Sequence, residues 1–440
     1  MVFQREKYVK QLEERKHNGM IKVITGSRRA GKSFIMNELF KGRLLSDGVD
    51  SKHIIQFAFD MDEDIDKLED FLPNQDTKIF DSKGNYKINS QKFRKYISSL
   101  TNDNENFYLL LDEVQLLDNF VGTLNSYLRH KNFDVYVTGS NSKFLSSDIA
   151  TEFKGRGSVV HVLPLSFSEY VSGLELSPEN AWKDYIETGG IPLVALMPSF
   201  EARSEYLKGL CEETYLKDII VHNGVRKASD LADLFDVFAS SIGSLISPTK
   251  LVDTFKSVKK KDVSDDTISK FLKYFEDAFL ISKVKRYSIK GRKYIGSPYK
   301  VYFEDIGVRN ARLNFRQIEE THIMENIIYN ELRYRGFNVD VGEVSINEKT
   351  DKLDKNGKSI YKCKAYEVDF IATKADQKLY IQSALSVSNV EKSKQEKNSL
   401  SYIDDSFEKI IITKDNINSR KDEYGIQSIN LFDFLLNSLY

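Results

Sequence analysis

Residues Gly26-Ser27-Arg28-Arg29-Ala30-Gly31-Lys32-Ser33 constrain this chain more than any other segment. They fit the pattern G-x-x-x-x-G-K-[ST], and their flanks decide how that pattern folds. Ile21-Lys22-Val23-Ile24-Thr25 predicts a short buried strand, and Phe34 to Phe40 continues as an apolar-periodic helix. A strand feeding a glycine-rich turn that opens a helix aims backbone N–H groups and the positive helix end at one point. That suits the phosphates of a nucleoside triphosphate. Lys32 would reach the β- and γ-phosphates, and the Ser33 hydroxyl would take one Mg2+ position. The expected ligands are therefore ATP and Mg2+, with Gly26 to Ser33 and the adjoining Phe34 lining the site.

Strand and helix patterns alternate from residue 20 to about residue 166, which predicts a parallel α/β sheet. His53 to Phe59 reads as one strand. Phe107 to Glu113 reads as another, apolar enough to be buried on both faces and ending in two carboxylates. Asp112 is assigned to the metal, directly or through water, and Glu113 to the general base that polarises the attacking water. Phe133 to Val137 is a further strand, running into Thr138-Gly139-Ser140-Asn141. Ser140 or Asn141 could hydrogen-bond the γ-phosphate or the attacking water, and a plain loop or helix N-cap fits the same residues.

Bulk composition narrows the class. A chain of 440 residues should hold about three domains. Its net charge of −1 predicts no partner from the whole-chain field, so only local patches can. Cys211 and Cys363 form no C-x-x-C pattern, and the six histidines show no metal-type spacing. Residues 1–20 are charged and amphipathic, unlike a signal peptide, and no apolar run approaches membrane-spanning length. A cytoplasmic protein without a membrane partner is expected.

With these residues quoted, the chain resembles the prokaryotic AAA-type ATPases that carry a C-terminal domain of unknown function. The likeness rests on GSRRAGKS at 26–33, LLLDEVQ at 109–115, TGSNSKFL at 138–145, KGRG at 154–157, PLSFSEY at 164–170 and YIETGGIP at 185–192. It implies an ATPase core at 1–170, a helical lid at 171–225, a winged-helix domain at 226–312 and a PD-(D/E)XK nuclease-like α/β domain at 313–440. By the same resemblance, Gly189-Gly190-Ile191-Pro192 is a lid motif placing Pro192 against base and sugar, although a helix-terminating turn explains the segment as well. Arg5 is expected near the adenine. Arg156, just before a strand at Val159 to Leu163, sits where ring-forming ATPases place a finger for the neighbouring subunit's nucleotide. A homo-oligomer follows, with a hexameric ring as one form it could take.

In the middle segment, helices from Ser229, Ser247 and Ser264 precede a β-hairpin with its turn at Gly291, a winged helix-turn-helix plan. Lys256, Lys259, Lys260, Lys261, Lys270, Lys273, Lys283, Lys285, Arg286, Lys290, Arg292, Lys293 and Lys300 outnumber the local acids. Lysine-rich patches contact phosphates without reading bases, so sequence-independent DNA binding is expected. Lys270, Lys273, Lys285, Arg286, Lys290, Arg292 and Lys293 are the candidate contacts. Asp265 and Asp266 at the start of the third helix count against major-groove insertion there and favour the wing. A protein-binding winged helix with a solvated lysine face remains the alternative.

The C-terminal order resembles the PD-(D/E)XK core, in which an acid on the first helix and an Asp on one strand accompany E-x-K on the next. Glu325 and Asp369 fit the first two places, Gln382 stands in place of the metal-binding acid and Ala384 in place of the lysine. Hard cations prefer charged oxygens, so the domain is expected to be catalytically inactive. The leading expectation is an Mg-dependent oligomeric ATPase coupling ATP turnover to remodelling of duplex or branched DNA. A STAND-like signalling or defence switch is the first alternative, and an ATP-dependent DNA nuclease the second.

Overall fold

Each strand bordering the phosphate-loop motif is an almost unbroken apolar run, and such runs are stable only where both faces of a sheet are covered. The computed structural model describes residues 2–80, 84–101, 105–139, 153, 155–257, 260, 263–353, 357, 359–387 and 390–437. The chain divides into two compact units, Met1–Pro164 with Asp277–Phe279, and Leu165–Glu276 with Leu280–Tyr440. Four segments were expected from the sequence.

The first unit is built on a five-stranded parallel sheet. Its strands are β1 (Ile21–Thr25), β2 (Ile54–Ala58), β5 (Phe107–Asp112), β6 (Phe133–Thr138) and β7 (Gly157–His161), in the order β2-β5-β6-β1-β7. A small hairpin, β3 (Lys78–Phe80) with β4 (Tyr86–Ile88), forms a separate sheet whose Ile88 packs in the same core. Val23, Leu109, Leu111, Val135 and Val137 share one core with Phe57, Phe59 and Phe93. Because β1, β5 and β6 run parallel, their C-terminal ends share one edge. Ile24 stands opposite Thr138, Leu111 opposite Val137 and Ala58 opposite Asp112.

A buried ion pair lies inside this sheet. Lys22 on β1 has no exposed side-chain surface and pairs with Asp134 of β6. The second oxygen of Asp134 accepts from Tyr136 Oη at 2.9 Å and from the backbone N–H of His17 at 3.1 Å. Burial lowers the Lys22 pKa, and the Asp134 charge opposes that shift. Full occupation of both carboxylate oxygens is what makes such a pair tolerable.

The second unit opens with helices Phe167–Leu174, Pro178–Thr188 and Pro192–Ala195. Ser177 caps the second of these with proline in its first turn. Three further helices, Ala228–Ser240, Pro248–Ser257 and Asp265–Asp277, precede β8 (Ile281–Ser288) and β9 (Lys293–Phe303). Beyond helices Ile306–Arg312 and Glu320–Tyr334 come β10 (Asn338–Leu353), β11 (Ser359–Lys374), β12 (Gln377–Ala384), β13 (Glu408–Thr413), β14 (Arg420–Lys421) and β15 (Ile426–Asn430). All eight strands form one mixed sheet, β14-β15-β13-β12-β11-β10-β8-β9. The hairpin read from the sequence as a wing therefore continues the C-terminal sheet, through parallel pairing of Arg286, Tyr287 and Ser288 with Val341, Gly342 and Glu343.

The joint inside this unit is Asp305, the N-cap of helix Ile306–Arg312. Its Oδ1 accepts from the N–H of Val308 at 3.0 Å and its Oδ2 from the N–H of Gly190 at 2.8 Å. Gly189 has φ +72°, and a Cβ there would meet Asp305 Oδ1 at 2.5 Å. Asn310 Nδ2 donates to the carbonyls of Ile186 and Glu187 at 2.8 and 2.9 Å. The two glycines thus permit the backbone at the end of one helix to close on the start of another.

Burial pushes the Asp305 carboxyl up to about 6, against an ordinary 3.8, although three backbone N–H groups act the other way. The folded state then holds a proton that the unfolded chain releases near pH 4. This group's contribution to stability is complete below that pH and is lost as the pH rises through 6. The loss is on the order of 3 kcal/mol. Asp305→Asn has no such titration, so its unfolding free energy in urea should fall less between pH 4 and 6.5 than that of the wild type. Equal falls in the two proteins would contradict the buried carboxyl.

Candidate nucleotide site

The loop after β1 forms because two glycines adopt backbone angles that side chains resist. Gly26 has φ +139°, and a Cβ on it would collide with the carbonyl oxygen of Val162. Gly31 has φ +94° and precedes the helix that begins at Lys32. Between them Arg29 takes φ +67°. Arg28, Arg29, Ser33 and Phe34 are exposed, whereas Ser27, Ala30 and Lys32 are buried. Lys32 Nζ donates to the carbonyls of Gly26 and Ser27, each at 2.9 Å. The helix continues through Lys32–Phe34, a wider π-type stretch at Ile35–Phe40, and Lys41–Ser46. It buries Ile35, Met36, Phe40 and Leu44, and the Phe40 ring lies 4.6 Å from that of Tyr136.

Asp112 sits buried at the end of β5. Its Oδ1 accepts from the Thr138 hydroxyl at the end of β6 and from the N–H of Glu113 at 3.1 Å. Its Oδ2 accepts from Asn37 Nδ2 at 3.4 Å, which ties the strand end to the helix that follows the loop. Glu113 turns out of the strand at φ +52°, and its carboxylate accepts from Gln115 Nε2. A third acid belongs to this group. Asp60, two residues after β2, has its pKa raised by desolvation first and then by the charges of Glu113 and Asp112, with Arg28 lowering it. Its residue surface is nonetheless largely exposed, so the desolvation is partial.

Arg5 is held by backbone carbonyls. Its guanidinium is buried and donates to the carbonyl of Leu163 at 2.5 Å and to that of Ala30 at 3.4 Å, bracing the back of the loop. Arg156 is exposed, while its backbone carbonyl accepts from the N–H of Ile21 at the start of β1. Asn141 and Ser140 lie outside the described residues. Pro192 belongs to the second unit, where it starts helix Pro192–Ala195 two residues after Gly190.

A hard cation seeks oxygen donors. The exposed Ser33 hydroxyl and the Asp112 carboxylate are of the right chemistry, with Asp60 as a further acid nearby in charge terms. Asp60, Asn37 and Thr138 were not picked out from the sequence. Asp60 carried the same signal as Asp112, an acid at the end of an apolar strand, and that signal could have found it. Asn37 carried none.

In the second unit the candidate basic residues separate into two groups. Lys270, Lys273, Lys285, Lys290, Arg292 and Lys293 are exposed, and the last four lie on or beside the β8–β9 turn. Arg286 is instead paired with Glu343 and mostly buried. Lys300 is enclosed among carboxylates. Lys259 and Lys261 lie outside the described residues. At the nuclease-like positions, Asp369 Oδ2 accepts from the N–H of Ser383 at 2.8 Å, and the N–H of Asp369 donates to Gln382 Oε1 at 3.3 Å. Ala384 is buried in an apolar cluster with Val344, Val368 and Ile411.

A parallel sheet with this loop after β1 and a carboxylate at the end of β5, one strand removed from β1, defines a P-loop ATPase domain of the AAA type. Residues 18–171 match the AAA domain family, and residues 179–319 match a domain of unknown function, DUF8612. The chain belongs to the same family as an uncharacterized protein of Haemophilus influenzae, to which it is 30% identical over 438 residues, covering 98% of each chain. An uncharacterized protein of Methanocaldococcus jannaschii is 26% identical over 437 residues, covering 94% of this chain and 85% of that one. Among solved structures, the Aeropyrum pernix ORC2 protein aligns with TM-score 0.36 and 13% identity, over 63% of this chain and 86% of that chain. A likeness at that level carries no argument about function.

Replacing Thr138 by Val keeps the shape and removes one donor from a buried carboxylate oxygen. The expected cost is about 1–3 kcal/mol in unfolding free energy, read by denaturant titration. An unchanged midpoint would mean that the Thr138 hydroxyl does not hold Asp112.

Proposed function

We propose that the chain is an Mg-dependent ATPase whose turnover is coupled to a DNA contact on the second unit. The observation that carries the ATPase reading is the link from Asn37 and Thr138 to Asp112, which joins the loop helix and two strand ends around one carboxylate. When bound, Mg2+ would supply neutralisation of phosphate charge. Ser33 and Asp112 would hold it, and Lys32 would exchange its loop carbonyls for phosphate oxygens. Glu113, released from Gln115, would take the proton of the attacking water. Ser140 or Asn141 remains the candidate γ-phosphate sensor. Arg156 is proposed as a finger acting on a neighbouring subunit in a homo-oligomer, for which its exposure suits it. Arg5 is proposed to support the loop through the carbonyls of Ala30 and Leu163.

For the rest, we infer a lid at 171–225, a winged-helix segment at 226–312 and a nuclease-like segment at 313–440, the last without catalytic activity. DNA contact is assigned to Lys285, Lys290, Arg292 and Lys293 around the β8–β9 turn, with Lys270 and Lys273 on the preceding helix. The pairing of Arg286 with Glu343 removes that residue from the contact set. Sequence-independent binding to duplex or branched DNA follows from contacts made by lysines.

The test is ATP turnover with and without single-stranded, duplex and four-way DNA. Glu113→Gln should lower kcat by roughly 10²–10⁴-fold. Arg156→Ala should lower it by about 10³-fold or more, with a dependence on protein concentration in the wild type. DNA should raise the wild-type rate, and added salt should abolish the rise. Turnover indifferent to both DNA and Arg156 would favour a nucleotide switch over a DNA-coupled ATPase.

A further inference from the structure

Lys300 lies on β9, which the sequence pattern grouped with the middle segment, yet its side chain ends in the C-terminal sheet. Its Nζ is 2.6 Å from Glu367 Oε1, 2.7 Å from Glu325 Oε1 and 3.7 Å from Asp369 Oδ1. The lysine side chain is 2% exposed. Glu325 comes from helix Glu320–Tyr334, and Glu367 and Asp369 from β11. The surrounding donors are spent on the same acids. Tyr302 Oη donates to Glu325 Oε1 at 2.5 Å, and the N–H of Ser383 donates to Asp369 Oδ2 at 2.8 Å.

Three acids gathered at a largely buried point need a compensating cation. An ammonium group offers three donors, and here three carboxylates surround it. The 2.7 Å separation from Glu325 is that of a charge-assisted N–H···O bond, and the 2.6 Å one from Glu367 is slightly shorter. The third acid, Asp369 at 3.7 Å, stands well beyond the ~2.0–2.6 Å of oxygen ligands on magnesium or calcium. Among the described residues, no group of three or more His, Cys, Asp or Glu is arranged to hold a metal ion. The acids are spaced for the lysine.

We propose that Lys300 is a built-in stand-in for a divalent cation. Its ammonium neutralises the carboxylate cluster of the C-terminal sheet and keeps metal out of it. The cluster then joins β9, β11 and helix Glu320–Tyr334 without a metal, and it supports no metal-dependent chemistry. The absence of a lysine at Ala384 and of an acid at Gln382 is matched by a lysine that enters from another strand. The proposal does not depend on the ATPase reading, since every group in it lies in the second unit.

Lys300→Met removes the charge at similar length and leaves three carboxylates for a hard cation. The full-length protein, Lys300→Met and the double variant Lys300→Met/Asp369→Asn are compared by thermal unfolding with and without about 1 mM MnCl2, and by Mn2+ electron paramagnetic resonance, without nucleotide. Metal taken up at the phosphate-binding loop is common to all three and cancels. Lys300→Met should gain several degrees in Tm with Mn2+. It should also bind one Mn2+ more than the wild type, and the double variant should lose both effects. If Lys300→Met folds only when Mn2+ is present, the proposal is equally supported. A folded Lys300→Met that is blind to Mn2+, or one that Mn2+ cannot rescue, overturns it. So does Mn2+-dependent DNA cleavage by the wild type that disappears in Lys300→Met, because the lysine would then be serving chemistry.

Discussion

The close approach of Gly26 to the carbonyl of Val162 is the constraint on which the rest of the first unit turns. A side chain at that position would push the loop off the sheet, since the obstacle is backbone and cannot swing aside. With the loop held down, the helix from Lys32 can start where β1 ends, and its Asn37 reaches Asp112 on β5. Arg5 braces the other side through the carbonyls of Ala30 and Leu163. The glycine loop and a carboxylate thus become parts of one edge of a sheet whose middle strands are buried.

In the second unit, polar groups hold together elements that are distant in sequence. Asp305 joins the turn at Gly190 to the helix at Val308, and Lys300 joins β9 to β11 and to helix Glu320–Tyr334. Each is buried, so each is strongly destabilising when left half-satisfied. That makes them firm joints. A glycine pair that suggests a nucleotide lid from sequence also has a packing reason, the space required by Asp305.

Local pattern made much of the first unit legible. β1, β5 and β6 were readable because their apolar runs are continuous, and the loop because its spacing is strict. Each of those strands ends within a residue or so of expectation. Asp60 is a single acid after its strand, a weaker local signal than the Asp112-Glu113 pair. The middle and C-terminal segments were harder for a physical reason. Parallel pairing of β8 with β10 joins residues more than 50 positions apart, and no local period encodes it. Lys300 and Arg286 looked like members of a basic surface patch. Their burial arises from strands and acids that only the folded sheet brings near.

A structure of the protein with Mg2+ and a non-hydrolysable ATP analogue decides whether the loop edge of the first sheet is a nucleotide site. In it Lys32 Nζ should leave the carbonyls of Gly26 and Ser27 for the β- and γ-phosphates, and Ser33 and Asp112 should hold the cation. A nucleotide bound elsewhere, or Lys32 still on its own loop with the phosphates absent from Gly26 to Ser33, would contradict that reading.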